Sequence, residues 1–249
     1  MTKRIIISQS LGSQTHSDIG LGGPGSGNWA HVGRPGFLGG SAPRNSGMTI
    51  AKGQDWLARQ AAAKGKTVAK TDGAATMRAS LATAEAEIHT LRHERCYAYT
   101  ADGTPVLNKD GAKDYISFDD DEVALMKDTV FTHNHPGGWE FDDSDPRSVG
   151  NAFSKEDLLM ACRGDVAEMR AVARKTTYVM RRPAKGWPED LERVQRDLAS
   201  MDRQVYDRTW PEISAKTISI AEAEARHANL VSQGFAQLIG AQYEIIRTG

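Results

Sequence analysis

The chain has 249 residues, of which 25% are charged and 39% hydrophobic, and its formal net charge is −1. That length supports one or two domains with a real core, and the near-zero charge gives no pull toward nucleic acid or an anionic membrane. The longest apolar run near the start, IIIS, is too short for a signal-peptide core or a membrane span, and the two cysteines, Cys96 and Cys162, read as free thiols in a reducing setting.

From Ser8 to Gly53 the chain is rich in Gly, Ser and Pro, centred on GLGGPGSGNWAHVGRPGFLGGSAPRNSG. Such a stretch buries too little apolar surface to offset its chain entropy, so residues 1–53 read as a disordered leader. Helical patterning begins at QDWLARQAAAKGK, breaks at Lys-Gly-Lys, and resumes from Ala75 through TMRASLATAEAEIHTLRHE, making 54–90 a helical linker. The period then changes. CYAYTADGTPVLN reads as a β-hairpin turning at Asp102-Gly103, and SFDDDEVALMKD offers acidic N-caps ahead of a short helix. TVFTHNH follows as a strand rich in β-branched and aromatic residues. After a polar loop, FSKEDLLMACRGD carries a serine N-cap, early acidic residues and an apolar face. MRAVA and TYVMRRP read as a second hairpin. From PEDLERVQRDLASMDRQVYDRTW to AEAEARHANLVSQGFAQLIGAQ the pattern is helical, so 184–249 reads as a helical C-terminal extension. The middle of the chain is α+β.

The chemistry concentrates at FTHNHPGG, where two of the seven histidines stand one residue apart. In a strand, residues two apart project from one face, so His133 and His135 can converge on one point. Neutral imidazoles suit zinc, and a catalytic zinc site needs a third protein ligand and an open position. Asp157, in the first turn of the helix opened by SKED, is the favoured third ligand; Asp142, Asp143 and Asp145 in the intervening loop are its rivals. Ser154 can cap that helix or point into the site. Asn134, between the histidines, faces the other side of the strand. His89 and His93 share a helix face but lack the glutamate of a zincin motif and read as surface histidines.

H-N-H-P followed by S-x-x-D at a helix start resembles the signature of the JAMM/MPN+ (JAB-domain) metalloproteases, closest to their RadC-type and phage- and toxin-associated branches. The resemblance covers about Leu91 to Pro183, and residues 91–183 are thereby expected to form a JAB/MPN-like metallohydrolase domain. It implies a cytidine-deaminase-like core, a mixed sheet with flanking helices. One departure stands out: Gly137 to Phe153 is longer than the family's usual gap, so it is either a loop inserted at the rim or a spacer that takes Asp157 out of reach. The family's upstream glutamate falls on Glu94, directly before the first hairpin strand.

The resemblance further implies a zinc-dependent peptidase or isopeptidase. His133, His135 and Asp157 would hold Zn2+, Glu94 would act as general base and Ser154 would donate to the oxyanion or orient the water. The expected partner is a protein or peptide substrate, with no nucleic acid and no membrane. The Gly-rich segment is similar to segments of phage head-morphogenesis proteins. This suggests a phage or prophage source, contacts to phage structural proteins, and a location in the bacterial host cytoplasm or the virion. The competing reading is a catalytically inactive JAB-like structural or interaction protein in phage head assembly.

Overall fold

The computed structural model describes residues 5–8 and 73–248. Apart from residues 5–8, the Gly-rich leader and the first expected helix lie outside the described residues. Ile5–Ser8, counted with the disordered leader from sequence, form a strand, β1, that pairs antiparallel with β4, Tyr115–Phe118.

The remaining strands build one six-stranded mixed sheet. They are β2 (Arg95–Tyr99), β3 (Pro105–Asp110), β5 (Val130–Asn134), β6 (Glu168–Val172), β7 (Thr176–Arg181) and β8 (Gln242–Arg247), in the spatial order β3-β2-β5-β6-β7-β8. β2–β3 and β6–β7 are the two hairpins read from sequence, and both are antiparallel. β5 and β6 are the parallel pair. A parallel pair needs a crossover, supplied here by the loop after β5 and a helix.

The helices are α1 (Gly73–Ile88), α2 (Asp120–Ala124), α3 (Lys155–Gly164), α4 (Leu191–Ser214) and α5 (Ile220–Ile239). Three of them start at capping boxes, on Asp119, Ser154 and Ser219, in each of which a side chain satisfies an otherwise orphaned amide. α3 is the crossover helix between β5 and β6. The fold is thus α+β, a mixed sheet with helices on both faces.

Strand alternation sorts the core. Cys96, Ala98, Phe131, Met169, Ala171 and Met180 face one side, where they pack with Leu158 and Met160 of α3, Leu198 of α4 and Phe235 of α5. Tyr97, Tyr99 and Val172 face the other side and pack under Met77, Ala84 and Ile88 of α1. A partly buried charge network ties that second face: Arg170 donates to Glu85 at 2.5 Å and to Glu168 at 2.9 Å.

The C-terminal extension differs from its expected form. It is not helical to its end, because β8 pairs with β7 and continues the sheet. Its alternating Tyr243 and Ile245 lie beyond the helical pattern, past a left-handed Gly240 that stops α5.

Candidate metal centre

His133 lies in β5, and His135 is the residue after the strand, where Pro136 begins a 3-10 turn. Both side chains share the sheet face that looks toward α3. Asp157 stands in the first turn of α3, where the helix dipole favours a carboxylate. The chain therefore leaves the carboxyl end of a parallel strand and returns with a carboxylate at the start of the crossover helix.

The three side chains converge. The Nε2 atoms of His133 and His135 are 2.9 Å apart. Asp157 Oδ1 lies 3.3 Å from His133 Nε2, and its Oδ2 lies 3.3 Å from His135 Nε2. A tetrahedral ion at the usual ~2.0–2.1 Å from its ligands sets neighbouring ligand atoms about 3.3 Å apart; the two carboxylate–imidazole distances match this, and the two imidazole nitrogens stand closer. Among the described residues, His133, His135 and Asp157 form a group whose ligand atoms lie within 4.8 Å of one another.

Second contacts aim these ligands. His135 Nδ1 is 3.0 Å from the carbonyl of Asn151. A carbonyl can only accept, so Nδ1 carries the proton and Nε2 presents its lone pair to the centre. Asp157 Oδ2 accepts from the Ser154 amide at 2.7 Å, and the Asp157 amide donates to Ser154 Oγ at 3.0 Å. One capping box therefore both starts α3 and orients the carboxylate. Since Ser154 Oγ accepts from that amide, its own hydroxyl proton remains to donate.

All three ligands are 0–2% exposed. Burial pushes the His133 imidazole down, with the Asp157 charge only partly opposing it. The same burial acts on His135, but its hydrogen bond and charge contact with Asp157, aided by the charge of Glu94, carry its pKa upward. Burial would raise the Asp157 carboxyl; the charges and hydrogen bonds of the two histidines instead hold it well below the usual carboxylate range. The pocket thus keeps Asp157 ionised, as a metal ligand must be.

Glu94 precedes β2 and is 1% exposed. The antiparallel register sets Cys96 opposite His133, which carries Glu94 to the level of His135 on the same face. Its charge reaches His135, yet Glu94 stands outside the 4.8 Å group. Beside Pro136 and Gly137 opens a cleft of about 290 Å³, also lined by Arg92, Lys113, Trp139 and Glu140.

Two of the three rival carboxylates are occupied elsewhere. Asp143 pairs with Arg174 and Lys175, and Asp145 caps a 3-10 turn and holds Arg147. The intervening stretch, read from sequence as a polar loop, is tied down: Arg174 donates to the Phe141 carbonyl at 2.7 Å, and Trp139 donates to the His89 carbonyl at 3.1 Å. Gly138 and Gly150 sit backbone to backbone, since a Cβ on Gly138 would lie 2.9 Å from Gly150 Cα. This rim bridges the span that the long spacing raised as a difficulty. His89 and His93 do not pair as ligands; His89 contacts the Arg174 carbonyl and His93 contacts Asp110. Sequence reasoning missed the role of Asn151, which acts through its backbone and leaves no side-chain signal.

Compared with family models, curated proteins and solved structures, the chain matches none. No helix among the described residues is long and apolar enough to cross a membrane.

Proposed function

We propose that this chain is a zinc-dependent peptidase or isopeptidase of the JAMM type, built on a JAB-like, cytidine-deaminase-like core. The observation that carries the reading is the buried His133–His135–Asp157 group with buried Glu94 just before the neighbouring strand, its charge acting on His135 from outside the group. Two imidazoles and one carboxylate are a donor set suited to zinc with a position left open. Bound there, the ion would polarise a water and the substrate carbonyl.

Glu94 would take the proton of the attacking water and return it to the leaving amine nitrogen. Ser154, whose hydroxyl proton is uncommitted, would donate to the carbonyl oxygen as charge develops on it. The cleft beside Pro136 would receive the peptide chain, with Trp139 as its apolar wall. A phage or prophage source, and contacts to phage structural proteins, rest on the composition of the Gly-rich segment.

A second reading is favoured by the depth of burial of the ligands: an inactive JAB-like scaffold in head assembly whose metal only braces the fold. Elemental mass spectrometry of chelator-free protein tests the shared premise. We expect about one zinc per chain, lost in His135→Ala and retained in Glu94→Gln. Absence of zinc from folded protein after zinc is supplied would refute both metal readings. Zinc with no hydrolysis across peptide and isopeptide libraries would leave the scaffold.

A further inference from the structure

The β2–β5 ladder stops at the edge of the site, before His135. Its last pair is Cys96 with His133; continued, it would set Arg95 against Asn134 and Glu94 against His135. Instead the Asn134 side chain, from a residue only 1% exposed, spans the gap. Its Oδ1 accepts from the Arg95 amide at 2.7 Å, and its Nδ2 donates to the His93 carbonyl at 2.9 Å. The partners leave one orientation for the amide, because an N–H only donates and a carbonyl only accepts.

Those two groups belong to the two peptide units on either side of Glu94 Cα. The same units are gripped from the opposite side: the Glu94 amide donates to the Ala112 carbonyl at 2.8 Å, and the Glu94 carbonyl accepts from Gly111 at 2.7 Å. Only glycine fits at 111, as a Cβ there would lie 2.4 Å from the Tyr115 carbonyl oxygen and 3.1 Å from that of Glu94. Four hydrogen bonds thus fix both backbone dihedrals of one residue, and with them the direction of its Cβ. A continued ladder would pair Glu94 directly with His135, whereas here a side-chain amide, longer than a direct backbone bond, makes the link.

We infer that Asn134 is a positioning residue, a clamp that sets the Glu94 carboxylate at the distance where a water fits between it and the metal ligands. The inference rests on the reading of Glu94 as the general base. It gives the residue between the two histidines a task distinct from theirs: they hold the ion, and it holds the base.

Cobalt(II) supplied at one equivalent to the full chain tests this without a substrate, since its visible bands respond to the surroundings of the ion's open position. We expect Glu94→Gln to bind one cobalt per chain with altered bands. Asn134→Ala should also keep one cobalt per chain and show at least half of that band change. Asn134→Asp, which keeps the acceptor for Arg95 but faces the His93 carbonyl with an oxygen, should fall between Asn134→Ala and the wild type.

Wild-type bands in Asn134→Ala beside altered bands in Glu94→Gln would overturn the clamp and leave the base reading standing. Wild-type bands in Glu94→Gln would overturn the base reading, and the clamp with it. Loss of cobalt from a folded Asn134→Ala would make Asn134 a support of the ligands, which also overturns the clamp. If Asn134→Ala does not fold, Asn134→Asp decides, with wild-type bands or failure to fold counting against the clamp.

Discussion

Asp157→Asn and Asp157→Ala separate the capping role of this carboxylate from metal binding. In the wild type, Asp157 Oδ2 accepts from the Ser154 amide and both carboxylate oxygens lie 3.3 Å from a histidine Nε2. Asparagine keeps an acceptor for Ser154 but is a poor ligand, whereas alanine removes both functions. Free zinc at a thousandfold excess over its dissociation constant stabilises by about 4 kcal/mol, which for a protein of this size raises Tm by roughly 8–16 °C. Loss of the cap costs about 1 kcal/mol, so metal-free Asp157→Ala should melt roughly 2–4 °C below metal-free Asp157→Asn, which keeps the acceptor. The assay is a pair of melts for each protein, in chelator and in excess zinc. Taking the zinc shift within each variant cancels the cap, and the shift should collapse in both. A full zinc shift in Asp157→Asn would refute the three-ligand site and move the third ligand elsewhere.

Glu94→Gln should keep its zinc while hydrolysis falls about 10²- to 10⁴-fold, the usual share of a general base, and undiminished turnover would refute the assignment. In the metal-free protein the raised His135 pKa contributes stability that is present below its ordinary 6.5 and lost as pH rises through the folded value. Melts in chelator should show this loss in the wild type and not in His135→Ala. The depressed Asp157 pKa acts oppositely, adding stability above the ordinary 3.8 that is lost as pH falls through its folded value. Asp157→Asn should flatten that acid limb in the same melts. Gly150 has φ of +84°, and a Cβ there would lie 2.6 Å from Ala173 Cβ. Gly150→Ala should therefore cost about 1–3 kcal/mol and, by shifting the neighbouring Asn151 carbonyl off His135, weaken zinc binding in a competition titration; unchanged melting and affinity would refute the tied rim.

What could be read along the chain was local. His133 and His135 face together because a strand alternates, and Ser154 with Asp157 form a capping box because three residues make one turn. The first hairpin and the start of α3 followed from turn residues and a cap, and the second hairpin from two neighbouring strand-like runs. Strand β8 escaped because its residues follow a long helical pattern and pair only with β7, more than sixty residues earlier in numbering. Strand β1 escaped for the same reason: the four residues of IIIS acquire meaning only beside Tyr115–Phe118. The loop from Gly137 to Phe153 looked like slack because its anchors, Arg174, Lys175 and the His89 carbonyl, come from other elements.

The amino-acid sequence by itself determined which groups were available for chemistry, their order, and the local geometry of each half of the motif, since these depend on backbone period and on hydrogen bonds between near neighbours. Tertiary structure alone decided that the halves meet. The parallel β5–β6 pair and the tied rim return Asp157 to the histidines, and the end of the β2–β5 ladder, bridged by Asn134, sets Glu94 beside them. Such closures depend on packing and hydrogen bonding between segments far apart along the chain, where no short window of sequence carries the contact.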